Sequence, residues 1–73
     1  MNWRRVVNSK HHWTAREGNV NYYLYKWTTG WAWEAHAPLF HAQSAQDGTY
    51  RNMKSQAEAF AAMVRGHNIE DEL

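Results

Sequence analysis

Tyr25–Trp33 reads YKWTTGWAW, with three tryptophans and a tyrosine on either side of Thr28-Thr29-Gly30. Rings alternating with small or polar residues around such a turn predict a β-hairpin, and the loop length sets which rings share a face. A three-residue loop closes on a left-handed residue, usually glycine, and Gly30 fits that position. AREGN at Ala15–Asn19 repeats the pattern with Gly18. In this register Trp27 faces Trp31, Tyr25 faces Trp33 and Tyr23 faces Ala35. In the other hairpin Trp13 faces Asn21 and His11 faces Tyr23. Odd positions then share one aromatic face: Trp13, Ala15, Tyr23, Tyr25, Trp27, Trp31, Trp33, Ala35 and Ala37. Even positions form the polar face: Lys10, His12, Thr14, Arg16, Tyr22, Leu24, Lys26, Glu34 and His36. Two-residue loops, Gly18-Asn19 and Thr29-Gly30, are the competing reading. They divide the rings between both faces, so clean segregation favours the longer loops.

The chain has 73 residues, enough for one domain, and a chain of that length buries only about 60% of its unfolded surface. It has no cysteine. That excludes a disulfide scaffold, a thiol nucleophile and cysteine-ligated metal, and it suits a reducing cytoplasm. Five Trp, four Tyr and two Phe supply the buried area instead. No apolar run reaches the roughly 20 residues that span a bilayer, and MNWRRVVNSKHHW lacks the apolar core of a signal peptide. The net charge is +1, and removing the acidic group Glu70, Asp71 and Glu72 leaves +4. That is only mildly basic.

Beyond the hairpins, the expected strands are 2–7, 11–16, 19–27 and 31–37, with Asn8-Ser9 as the first turn. Pro38 closes the aromatic half, and LFHAQSAQDGT after it reads as a loop. Met53, Ala57, Phe60, Ala61 and Val64 fall on one apolar stripe at helical spacing, predicting a helix over 53–65 and an acidic tail at 69–73. Ser55 with Glu58 has capping-box spacing, but Asn52 is preferred as the N-cap because it keeps Met53 on the helix. Alanines along the helix suit close approach to a floor of large rings, with Trp33, Tyr25 and Tyr23 beneath Phe60 and Val64. The fold class is α+β: an antiparallel meander of three or four strands with one C-terminal helix on its aromatic face.

Catalysis finds little support. Ser9, Ser44 and Ser55 lie in turns, a loop or a cap, with no base and orienting group beside them. Glu34 is the one acid inside a predicted strand, so paired carboxylates are not indicated. Five histidines, His11, His12, His36, His41 and His67, raise the question of a metal. No HExxH or H-x3-H spacing is present, and His11 and His12 project to opposite faces, so they read as surface histidines and no metal or cofactor is expected. Lys10, His12, Arg16 and Lys26 around Tyr22, extended by Arg4 and Arg5, suit phosphate contact with base stacking, and equally an ordinary solvated face. Trp3 beside Arg4 and Arg5 has the composition of an interface anchor, or it caps one end of the core; Phe40 poses the same choice.

TGWAWEA (29–35) followed by DGTYRNMKSQAEAFAAMV (47–64) resembles the three-strand-plus-helix DNA-binding domains of the Apetala type and of phage integrase arm-binding domains. Trp31 or Trp33 falls at the strand tryptophan, Tyr50 at the aromatic before the helix, and Ala57 with Ala61 on the helix. Those families read the major groove with several sheet arginines and a tryptophan, whereas the matching strands here hold Arg16 and Lys26. The chain is similar also, in size, absence of cysteine and charge polarity, to small phage-encoded sheet-plus-helix proteins that bind and inhibit host machinery. That second resemblance implies a modulator of a host protein or nucleoprotein complex. The short chain leaves little for a catalytic pocket, so the expected protein is non-enzymatic and cytoplasmic, a monomer or a weak homodimer through its exposed edge strand. Its expected contact surface is Trp3, Arg4, Arg5, Lys10, His12, Arg16, Tyr22 and Lys26. Direct DNA or RNA binding through the same face is the alternative.

Overall fold

Between Val20 and Lys26 the aliphatic side chains are Val20 and Leu24, and they alternate in step with Tyr22. Fully burying one such aliphatic side chain is worth about 1.5–3 kcal/mol. These three define the buried side of their strand, at 4%, 0% and 1% exposure for Val20, Leu24 and Tyr22. The computed structural model describes residues 1–66. The acidic tail 69–73 and His67 lie outside the described residues.

The chain forms β1 (Arg4–Arg5), β2 (His12–Glu17), β3 (Val20–Lys26), β4 (Trp31–His36) and β5 (His41–Gln43), followed by α1 (Tyr50–Gly66). The strands pair antiparallel in chain order, β1-β2-β3-β4-β5. The architecture is thus α+β, an open meander with one helix. No helix among the described residues is long and apolar enough to cross a membrane.

The hairpin registers differ from the expected ones. Glu17 pairs with Val20 and Trp13 with Leu24, so the first loop is the two-residue Gly18-Asn19. Gly18 takes φ 60 and is the left-handed residue of that turn, which is the type II′ pattern with glycine first. In the second hairpin Leu24 pairs with Trp33 and Tyr22 with Ala35. Trp27 and Gly30 then exchange backbone bonds of 2.7 and 3.4 Å, leaving Thr28-Thr29 as the turn. Gly30 is needed for another reason. A Cβ there, at φ 150, would stand 2.7 Å from the Asp47 carbonyl carbon. The returning chain passes this close because Trp31 and Gly48 form a bridge, with N–H to O distances of 2.8 and 3.1 Å.

Both changes shift pairing by an odd number of residues. Trp13 meets Leu24 where Asn21 was expected, and Tyr25 meets Ala32 where Trp33 was expected. An odd slip turns a strand over. The odd positions of β2 and β4 keep the inner face, as expected, whereas β3 is inverted and presents Tyr22 and Leu24 inward. The expected register fails because it would place Leu24 in water and the hydroxyls of Tyr23 and Tyr25 in the core. Ring count misled; the aliphatic residues decide.

The helix starts earlier than its apolar stripe. Thr49 is the N-cap, with the Asn52 backbone N–H donating to its Oγ1 at 3.1 Å and the Met53 N–H to its carbonyl at 3.0 Å. This corrects the Asn52 cap by three residues. The buried stripe is Met53, Ala57 and Ala61, with Phe60 and Val64 packed beside it. Alanine at two of those positions lets the helix sit low. Phe60 reaches Trp33 at 5.2 Å and Tyr22 at 6.5 Å between ring centroids. Trp33 Nε1 donates to Gln56 Oε1 at 3.3 Å, so the buried indole keeps a polar partner. Tyr23 and Tyr25, expected beneath this helix, face away from it.

At the N-terminus the expected strand 2–7 shortens to Arg4–Arg5. One further bond, Val6 N–H to His12 O at 2.9 Å, extends the pairing. Asn8 in the left-handed region (φ 66) then turns the chain and leaves Val7 83% exposed. The segment after Pro38, expected as loop, contains β5. Ala37 N–H bonds Phe40 O at 2.9 Å, and His36 pairs with His41, so Pro38-Leu39 is a two-residue hairpin turn. Three residues are too short a strand for alternation to reveal.

Candidate functional site

With β3 turned over, the face away from α1 receives Tyr23 and Tyr25. It is completed by His12, Thr14 and Arg16 from β2, Glu34 and His36 from β4, and His41 from β5, all in register with one another. Among the described residues no secondary-structure element packs over it, and its rings and polar groups contact one another across the strands. His12 lies against Tyr23 and Tyr25, with centroids 6.2 and 6.1 Å apart. Tyr25 continues to Trp27 at 6.4 Å. Tyr23 meets His36 at 5.4 Å, and His36 stacks on His41 at 4.2 Å.

Glu34 is the hub. The Tyr25 hydroxyl donates to its Oε2 at 2.5 Å, His36 Nε2 donates to its Oε1 at 2.7 Å, and His41 Nε2 stands 3.9 Å from the same Oε1. The Tyr25 hydrogen bond, then that of His36, holds the Glu34 carboxyl below its ordinary range. Burial, then the bond to Glu34, raises the Tyr25 phenol. The result is an ionised carboxylate with both oxygens engaged. That is a poor general base and a good anionic anchor.

The rings line an open groove of about 660 Å³ running from Ser9, His11 and His12 past Tyr23 and Tyr25 to Trp27, Glu34 and His36. Trp27 stands at its rim with 52% of its surface exposed. At its inner side His12 Nε2 is buried without a hydrogen-bond partner, an arrangement that ordinarily costs about 1–3 kcal/mol.

The expected contact residues are scattered by this register. Tyr22 is 1% exposed beneath Phe60 and cannot meet a partner; its inversion with β3 corrects the expectation that it sits among cations on the polar face. Lys26 inverts with it and pairs with Trp31 at the end of the strand, where it reaches the groove rim. Trp3 packs against the core, and its Nε1 donates to Glu58 Oε2 at 2.9 Å, so it ties the N-terminus to α1. Arg4 and Arg5 are exposed on opposite faces of β1, Arg4 beside Thr14 on the outer face and Arg5 beside Trp13. Lys10 is exposed before β2. His12 and Arg16 do lie on the outer face, the latter with Nε donating to Gly18 O at 3.0 Å.

Tyr23, Tyr25 and Trp27 were expected on the core face, whereas Glu34 and His36 were expected on the polar face and His41 at the surface, but the three were not expected to meet. One local signal was present. Glu34 and His36 alternate on one side of a strand, and His41 follows a proline turn of hairpin length. Reading 39–49 as loop hid the third member. The chain matches no protein-family model, and no curated protein or solved structure matches it either.

Proposed function

We propose that this chain is a non-enzymatic binding protein, a modulator of a protein or protein–nucleic-acid assembly, whose contact surface is the outer face of the sheet. The observation that carries this reading is Trp27. It is half exposed at the mouth of a groove lined by Tyr23 and Tyr25, on the face that α1 leaves uncovered. A chain this small has few rings to spare from its core. Tryptophan and tyrosine in a concave, partly dry setting are the side chains that carry most interface energy. The groove replaces Trp3 as the proposed anchor, because Trp3 is engaged with Glu58.

The direct test compares wild type with Trp27→Ala on a resin, using nuclease-treated lysate of the encoding organism. Wild type should retain a discrete protein that the variant loses, while the variant's thermal midpoint stays close to wild type. Identical retention by both chains would remove Trp27 from the interface and sink this reading.

Single-stranded nucleic acid is the second reading. Arg4 and Arg16 lie on the same face as Tyr23 and Tyr25, with Lys10 and Lys26 near its borders, the mix of cations and stacking rings that such ligands use. In that case a labelled oligonucleotide should bind, weaken steeply with added salt and lose affinity in Arg16→Ala.

A further inference from the structure

At the edge of the outer face the groove ends on a donor set, Glu34 and His36, that His41 completes from outside its lining. His36 and His41 are direct register partners across the Pro38-Leu39 turn. Glu34 precedes His36 by two residues and therefore projects to the same side. One ligand atom from each of the three lies within 4.8 Å of the other two. Glu34 Oε1 is 2.7 Å from His36 Nε2 and 3.9 Å from His41 Nε2. Around a tetrahedral ion with bonds of about 2.0–2.2 Å, neighbouring donors stand roughly 3.3 Å apart. The two observed distances bracket that value, so each needs to change by only about 0.6 Å to meet it.

The support around the donors is of the kind metal sites use. The Tyr25 hydroxyl holds Glu34 Oε2, which turns the free lone pairs of Oε1 toward the imidazoles; such outer contacts orient ligating carboxylates. The two imidazoles stack with an interplanar angle of 24°, so their in-plane lone pairs turn toward a common point on binding. That motion is open to them because both side chains are accessible, at 42% and 53% exposure. Two imidazoles and a carboxylate are a mixed nitrogen–oxygen set suited to zinc and its neighbours, and poorly suited to calcium or magnesium, which take oxygen ligands. We propose that Glu34, His36 and His41 bind one divalent transition-metal ion, zinc being the best match, with a fourth position open to water or to a donor from outside the chain. The ion takes the place of the proton between Glu34 Oε1 and His36 Nε2, and that nitrogen becomes a ligand as its proton moves to Nδ1 or to solvent. It also clips β5, an edge strand of three residues, to β4. The site shares Glu34 and His36 with the groove wall, but its test needs no partner.

The test uses the tag-free full chain, since a histidine tag would compete. Zinc titrated by calorimetry should bind with one equivalent, and cobalt(II) should develop the visible absorption of a tetrahedral site. Removing either imidazole, in His36→Ala or His41→Ala, should abolish the one-equivalent step. Tyr25→Phe, which frees the carboxylate but removes no ligand, should weaken it by about 10–100-fold. On wild type alone, zinc should shift the imidazole proton resonances of His36 and His41. Absence of binding at micromolar zinc, unchanged affinity in both alanine variants, or shifts confined to the other histidines would each overturn the proposal.

Discussion

The two faces of this sheet carry similar rings and put them to opposite uses. On the inner face Tyr22, Trp33 and Leu24 are almost fully buried under α1. On the outer face Tyr23, Tyr25 and Trp27 stay partly open. The Tyr25 hydroxyl is bonded to Glu34, the rings of Tyr23 and Tyr25 are set against His12, and those of Tyr25 and Trp27 against each other. The difference lies in what alternates with the rings. The inner positions of β3 include Val20 and Leu24, which have no polar atom to satisfy, whereas the outer ones bring a phenol beside a carboxylate. A covering helix rewards the first set and would strand the second without water. Aromatic density therefore marks a strand without saying which side is core; the aliphatic residues do that.

The sharpest way to break the contrast is to damage the inner face. Leu24→Ala removes a fully buried side chain at the centre of β3 and should cost about 2–5 kcal/mol in urea unfolding. A loss near that of an exposed position would mean that the inner face is not the core. A smaller effect is expected where the helix is anchored. Thr49→Ala removes the oxygen that accepts the Asn52 N–H and should lower stability by about 1 kcal/mol; Asn52→Ala should cost less, since Asn52 is not the cap. The opposite order would restore the later helix start.

The smallest effect belongs to the outer face and is visible in its pH dependence. Glu34 titrates lower in the fold than in the unfolded chain. Its contribution is thus fully present above the unfolded value and fades as pH falls through the lowered folded value. Urea midpoints of wild type and Glu34→Gln should differ most near neutral pH and converge as pH drops well below about 4.5. A gap that stays constant with pH would show that the Tyr25 and His36 contacts do not act on the charged form.

Much of the architecture was legible before folding. The stripe Met53, Ala57, Phe60, Ala61 and Val64 announces a helix because its period is local, and the inward side of β2 and β4 follows from Trp13, Ala15, Trp33 and Ala35. The helix cap was misplaced because Asn52 and Thr49 are both competent N-caps and only the backbone path from Gly48 chooses between them. The candidate site was less legible. His12 and Arg16 were correctly placed on the polar face, whereas Tyr22 was exchanged for its neighbour Tyr23 by a one-residue inversion.

What the sequence by itself determined is therefore the α+β class, the two glycine-marked hairpins, the helix and its buried stripe. Only the tertiary structure decided which side of β3 faces the helix, how His41 returns to lie opposite His36, and which tryptophan is left at the surface. The physical reason is the two-residue period of a strand. Local pattern offers both faces of β3 with rings, and the choice falls to the single face on which α1 can bury Leu24 without burying the phenols of Tyr23 and Tyr25.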